Sequence, residues 1–114
     1  MSAPDDADPR LLDDLDRARE EIVPFIGERA EALYGWRLAG RPGPWRDRFA
    51  ARLPGEDPER PQVTEAERLL LEWADGVVAG DAEPALKERM ASVFSSALRS
   101  SLDRYALALR ALAG

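Results

Sequence analysis

The side chains best suited to binding chemistry are arginines interleaved with aromatic rings between residues 36 and 52. This segment holds five arginines and one acid, although the whole chain carries a net charge of −6. Guanidinium groups bind carboxylates through paired hydrogen bonds and stack on aromatic rings. We therefore predict a partner-binding surface here; the alternative is a solvated basic face that balances the acidic segments around it. The predicted contact residues are Trp36, Arg37, Arg41, Trp45, Arg48, Phe49 and Arg52.

Other kinds of chemistry are restricted by composition. The chain has no cysteine and no histidine, so disulfides, thiolate nucleophiles, imidazole catalysis and zinc sites built on these residues are excluded. No calcium-loop spacing occurs, and we predict no metal and no cofactor. Acids at helical spacing, such as Glu28 and Glu31, could form a catalytic pair, but we expect most of them to face solvent. We predict no catalytic residue.

Helical periodicity indicates the elements that position these residues. Apolar side chains recur at steps of three and four from Pro84 to Ala113, which predicts one long helix of about 45 Å. The first helix is expected to start at Pro9, bend at Pro24, where a backbone donor is missing, and run to about Gly35 or Leu38.

Two further helices are predicted between these long ones. Pro44 is suited to the first position of a short helix that reaches Leu53. Thr64 and Glu67 have the spacing of a capping box, and Gly80 is a suitable C-terminal cap for the helix that follows.

No strand-like alternation is visible, so we predict an all-α fold. The expected architecture is a bundle of three longer helices, with long N- and C-terminal members, and one short helix. Residues 1–8 are predicted to be a disordered acidic tail, and residues 9–114 to be a single domain. Two rods of about 40 Å should leave apolar surface uncovered, so we expect a homodimer.

The expected environment follows from charge and hydropathy. An acidic chain is a poor ligand for nucleic acid, because phosphate binding needs clustered basic residues. No apolar run is long enough to span a membrane, and no leader peptide is visible. We therefore expect a cytoplasmic protein with no nucleic-acid or membrane partner.

Three segments are similar to parts of one known family. Asp13–Arg29 (D-D-L-D-R-A-R-E-E-I-V-P-F-I-G-E-R) resembles the first helix of the all-helical chorismate mutases, and Val93–Ser101 resembles their last helix. Residues 57–60 (D-P-E-R) are similar to a motif before their middle helix. The resemblance covers about a third of the chain and implies an intertwined dimer that binds a dicarboxylate. The pocket residues that it implies are Arg29, Arg41, Arg60 and Ser101.

Three functions remain open from the sequence. The first is a small non-catalytic interaction or regulatory subunit that acts through its helical faces. The second is a small-molecule binder or mutase of the chorismate mutase type, although the family's first-helix arginine is replaced by Leu12 and its final Gln or Glu by Tyr105. The third is an acidic antagonist of a basic partner protein, which the net charge of −6 suggests.

Overall fold

The chain folds into helices joined by short turns and one longer loop. The computed structural model describes residues 8–81 and 83–113, and it contains six α-helices and no strand within these ranges. The predicted all-α class is therefore confirmed. The predicted tail lies outside the described residues except for Asp8. The helices are α1 (Pro9–Ile26), α2 (Glu28–Ala39), α3 (Pro44–Ala50), α4 (Glu65–Ala79), α5 (Pro84–Val93) and α6 (Ser96–Ala113).

The predicted first helix is two helices. The Asp8 carboxylate accepts a hydrogen bond from the backbone N–H of Arg10 at 2.9 Å and caps α1. Pro24 lies inside α1, and the chain breaks three residues later at Gly27, where φ is +91°. Glycine adopts positive φ without the steric cost of a Cβ atom. The prediction of one helix reaching Gly35 or Leu38 is therefore wrong.

The predicted C-terminal helix is also divided. Phe94 is extended, with φ −116° and ψ 140°, and it separates α5 from α6. Ser95 caps α6, because its Oγ accepts a hydrogen bond from the backbone N–H of Leu98 at 3.2 Å. Serine favours helix caps because its hydroxyl competes with the helical backbone for hydrogen bonds. The prediction of a single long helix is therefore wrong, and the arrangement of three longer helices and one short helix is not confirmed.

The shorter predicted elements agree better with the structure. The Thr64–Glu67 capping box is present, with both reciprocal hydrogen bonds, and Gly80 ends α4 in the left-handed conformation. The third helix starts at Pro44 as predicted, but it ends at Ala50 and continues as a turn towards Leu53. These signals are local, which explains why they were readable from the sequence.

The core lies between α1, α2 and α6. The most extensive packing joins α1 to α6, and α2 packs against α1, α3, α4 and α6. The predicted apolar stripe is buried inside one chain: Leu102 and Leu109 are fully buried, and Phe94 and Leu98 are nearly so. The sequence argument for a dimer assumed that this stripe was partly uncovered, and that assumption does not hold.

The helices were also compared with what a membrane span requires in length and hydropathy. None of the helices within the described residues combines the length and apolar character that crossing a bilayer requires.

Candidate functional site

A buried carboxylate stands at the centre of the basic region. Glu31, on α2, is completely buried. Arg19 of α1 donates to its Oε1 through Nε at 3.0 Å, Arg52 donates from the turn after α3, and the Tyr105 hydroxyl donates from α6. These four residues form what we call the carboxylate cluster, which joins α1, α2, α6 and the end of α3.

The acceptor capacity of Glu31 is used completely. Its Oε1 accepts from Arg19 and Arg52, and its Oε2 accepts from Arg52 and Tyr105. A carboxylate offers about four lone-pair positions, so none remains for a substrate proton. Glu31 is therefore a structural anion and is unsuited to act as a general base.

The electrostatics of its partners agree with this assignment. Burial raises the pKa of the Tyr105 hydroxyl, and the adjacent negative charge of Glu31 raises it further. The hydrogen bond to Glu31 raises the pKa of the Arg52 guanidinium. Tyr105 therefore stays neutral and Arg52 stays charged across the physiological pH range.

Sequence reasoning missed most of this cluster. We expected most of the acids near Glu31 to face solvent, and Tyr105 was noted in the apolar stripe and as the replacement of the chorismate mutase family's final Gln or Glu, not as a partner of Glu31. Arg52 was predicted as a partner contact, not as the counter-charge of a buried acid. A signal was present, because Ala30, Ala32 and Leu33 surround Glu31 with apolar residues, and all three are buried. A helix that is apolar on all sides is typical of a core position.

Two arginines of α3 are held against tryptophan rings. The Arg46 guanidinium carbon lies 3.7 Å from the Trp36 ring centroid, and Arg46 Nε donates to the Trp36 carbonyl at 3.3 Å. The Arg48 guanidinium carbon lies 4.8 Å from the Trp45 ring centroid. Within the described residues, neither guanidinium has a carboxylate within ion-pair distance. We call these four residues the arginine–tryptophan surface.

The remaining predicted contact residues have different environments. Arg37 pairs with Asp75 at 3.3 Å, whereas Arg41 is exposed and has no ion-pair partner within the described residues. Trp45 and Phe49 are each only 5% exposed, so their rings belong mainly to the core. Gly35 of α2 faces Phe49 so closely that a Cβ atom would overlap the ring. Core packing therefore sets the orientation of α3.

A cleft lies beside the carboxylate cluster. Its volume is about 270 Å³. Trp45 lines it, and the buried Trp45 Nε1 has no hydrogen-bond acceptor among the described residues. We call it the α3 cleft, and its lining comprises Leu15, Asp16, Arg19, Glu31, Trp45, Arg48, Phe49, Arg52 and Tyr105.

The residues implied by the chorismate mutase resemblance do not meet in one cleft of the described chain. Arg29 pairs with Glu56 at 2.7 Å and with Glu67 at 3.4 Å. The Ser101 hydroxyl donates to Glu21 at 2.7 Å, on the α1–α6 face. Arg41 and Arg60 are exposed.

The contacts of Glu21 limit its chemistry. Hydrogen bonds from Ser101 and from Arg104 hold the pKa of the Glu21 carboxyl below its usual value. A carboxylate with a lowered pKa is a weak general base, so Glu21 is poorly suited to activate the Ser101 hydroxyl.

Comparison with known proteins adds no assignment. No protein-family model, no curated protein and no solved structure matches this chain. Among residues 8–81 and 83–113, no group of three or more acidic side chains is arranged to hold a metal ion.

Proposed function

We propose that this protein is a non-catalytic helical interaction subunit that binds an acidic region of a partner protein through the arginine–tryptophan surface. The observation that carries the proposal is the state of Arg46 and Arg48. Both guanidiniums are stacked on tryptophan rings, and neither is within ion-pair distance of a carboxylate of the described chain; the charge of Glu59 acts on Arg46 from farther away.

Stacking favours binding because it orders the side chain in advance. A free arginine loses rotamer freedom when it binds, and an arginine already held on a ring loses less. The delocalised guanidinium can keep its ring contact while its N–H groups bind a carboxylate. Arginine and tryptophan are also enriched among the residues that dominate the energy of protein interfaces.

The position of α3 adds a geometric argument. Arg46 and Arg48 are separated by about 200° around the helix axis, so they lie on opposite flanks of α3. Trp45 and Phe49 anchor the inner face of this helix in the core. A partner that lies across α3 would therefore contact one guanidinium on each side of it.

Two acids that the structure ties into hydrogen bonds, Glu31 in the carboxylate cluster and Glu21 on the α1–α6 face, are poorly suited to proton transfer. Glu31 has no lone pair available, and the lowered pKa of Glu21 makes it a weak base. Neither residue is therefore a strong candidate for proton transfer.

The test is quantitative affinity capture from cells that naturally contain the protein. The variant Arg46→Gln/Arg48→Gln should lose the captured partner, because both guanidiniums contribute to the contact. The control Arg68→Gln/Lys87→Gln removes the same charge from exposed positions of α4 and α5 and should retain the partner. Equal capture by the wild type and the α3 variant would contradict the proposal.

A homodimer remains a proposal, and an apolar site near the end of α1 supports it best. Phe25 is 75% exposed. Phe25 borders two clefts: Ser101 lines the first, and Glu67 lines the second. Glu67 is an ion-pair partner of Arg29. A pocket of the chorismate mutase type, combining Arg29 with Ser101, would require a second copy that packs at this site.

A further inference from the structure

We infer that the α3 cleft is a binding site for a small monocarboxylate with an apolar body. The inferred site shares Arg48 with the proposed partner surface but does not include Arg46, so the two proposals can fail separately. It rests on the charge, the size and the unsatisfied donors of the cleft.

The charge of the lining favours a single anion. Three arginines and two acids line the cleft, which leaves one positive charge. Glu31 is saturated by Arg19, Arg52 and Tyr105, so it accepts nothing further. Arg48 has no carboxylate partner within the described residues, and its guanidinium is the group left to bind a ligand carboxylate. One bound carboxylate would therefore pair with Arg48.

The volume and the walls define the rest of the ligand. The volume of about 270 Å³ lies just below the range for ligand pockets, roughly 300–1,000 Å³, so it suits a small ligand. Leu15, Trp45 and Phe49 supply the apolar part of the lining, and the Arg48 guanidinium lies over the Trp45 ring. The ligand should therefore be about the size of one aromatic ring with a short acidic arm.

An unsatisfied donor adds an independent reason. Trp45 is only 5% exposed, and its indole N–H has no acceptor in the described chain. A buried donor without a partner is unfavourable, and an acceptor on a ligand can satisfy it. Trp45 lines the cleft, so a ligand oxygen bound there would satisfy this donor if the buried nitrogen turns towards the cleft.

The experiment is a titration of the intact protein with phenylacetate, followed by the indole N–H signals in ¹H–¹⁵N spectra. The signal of Trp45 should move and saturate, with a dissociation constant on the order of 1 mM, as expected for a ligand of few atoms. The signal of Trp73, which lies outside the cleft, should not move. Phenylacetamide, which has nearly the same shape but no charge, should bind at least about tenfold more weakly, as loss of a charge-assisted hydrogen bond predicts.

A matched pair of variants makes the test specific. Arg48→Gln should weaken phenylacetate binding by at least about fivefold, because a hydrogen bond to a charged group is lost. Arg46→Gln removes an equivalent ring-stacked charge from the other flank of α3, outside the cleft, and should change binding by less than about twofold, as expected from screened charge alone.

The outcomes separate this inference from the proposed function. Absence of a saturable Trp45 shift, equal binding of phenylacetamide, or equal losses in the two variants would overturn the inference. Partner capture depends on both Arg46 and Arg48, so it can survive such a result. Loss of partner capture in Arg46→Gln with normal phenylacetate binding would support both ideas.

Discussion

Glu31 is a carboxylate that folding removes from water completely, and side chains of three other segments replace its hydration. The side chains of Arg19 and Arg52 are 38% and 35% exposed, whereas the Glu31 side chain is fully buried. The contribution of the cluster to the stability of the fold therefore depends mainly on Glu31, its buried member. If the charge of one member is removed, the remaining charged groups of the cluster lose their partner, and the folded state is destabilised.

We predict that Glu31→Gln destabilises the protein by about 2–3 kcal/mol. Arg19, Arg52 and Tyr105 lose the negative charge that they share, and one of its two acceptor oxygens is replaced by an NH₂ donor, while the arginines can still turn towards solvent. Thermal or urea unfolding measures the change. The control is Glu28→Gln, which removes the other acid paired with Arg19; Glu28 is 76% exposed, so the loss should be below about 1 kcal/mol. Equal losses in the two variants would show that the buried cluster contributes nothing special.

At the scale of elements, the two helix breaks determine where the cluster and α3 lie. Gly27 allows α2 to start in a new direction after α1, and this places Glu31 beside Arg19. Ser95 starts α6 afresh after α5. Both breaks occur where apolar periodicity continues across the gap, so the sequence pattern alone did not reveal them.

Local sequence signals did predict the ends of two other helices, α3 and α4. The capping box of α4, its terminal glycine and the proline at the start of α3 depend on residues a few positions apart. The burial of Glu31, by contrast, depends on side chains 12, 21 and 74 positions away. Such contacts are set by tertiary packing, which neither propensity nor periodicity encodes.

We predict that Ser95→Ala destabilises the protein by about 1 kcal/mol, because the first turn of α6 loses the hydroxyl that accepts from the Leu98 N–H. Chemical denaturation checks this value. Ser96→Ala is the matched control, since Ser96 is exposed and already lies inside the helix. A cost for Ser96→Ala as large as that for Ser95→Ala would contradict the assignment of Ser95 as the cap.

At the scale of the whole molecule, one chain already covers its own apolar stripe. The radius of gyration is 13.3 Å. A compact domain of this length is expected to have about 13 Å, so the described chain needs no partner to be compact. The large apolar side chains that remain exposed in the described residues are Phe25, Val93 and Leu107.

The proposed homodimer is tested by sedimentation velocity over a wide range of concentration. We expect a dimer whose dissociation is favoured by Phe25→Ser, because this ring is the most exposed large apolar side chain of the described residues. Leu107→Ser is the matched control, since Leu107 is 72% exposed on α6 and borders neither Phe25 cleft. A monomer at all concentrations would refute the dimer, and equal effects of the two variants would refute the contact at Phe25.

Charge distribution is the other property of the whole molecule. The sequence correctly predicted a basic segment within an acidic chain, but not which of its arginines are paired internally. The structure separates Arg37 and Arg52, which have acidic partners, from Arg46 and Arg48, which stack on tryptophans. The second pair is the basis of the proposed function.

The most direct test of that function is a titration of the protein with a hexaglutamate peptide, followed by the three tryptophan indole signals. We predict saturable shifts of Trp36 and Trp45, little change of Trp73, and weaker binding as salt rises, because the contact is made between exposed charges. Arg46→Gln/Arg48→Gln should abolish these shifts, whereas Arg68→Gln/Lys87→Gln should leave them intact. Shifts that are absent, or that survive in the α3 variant, would contradict the claim that this surface binds acidic partners.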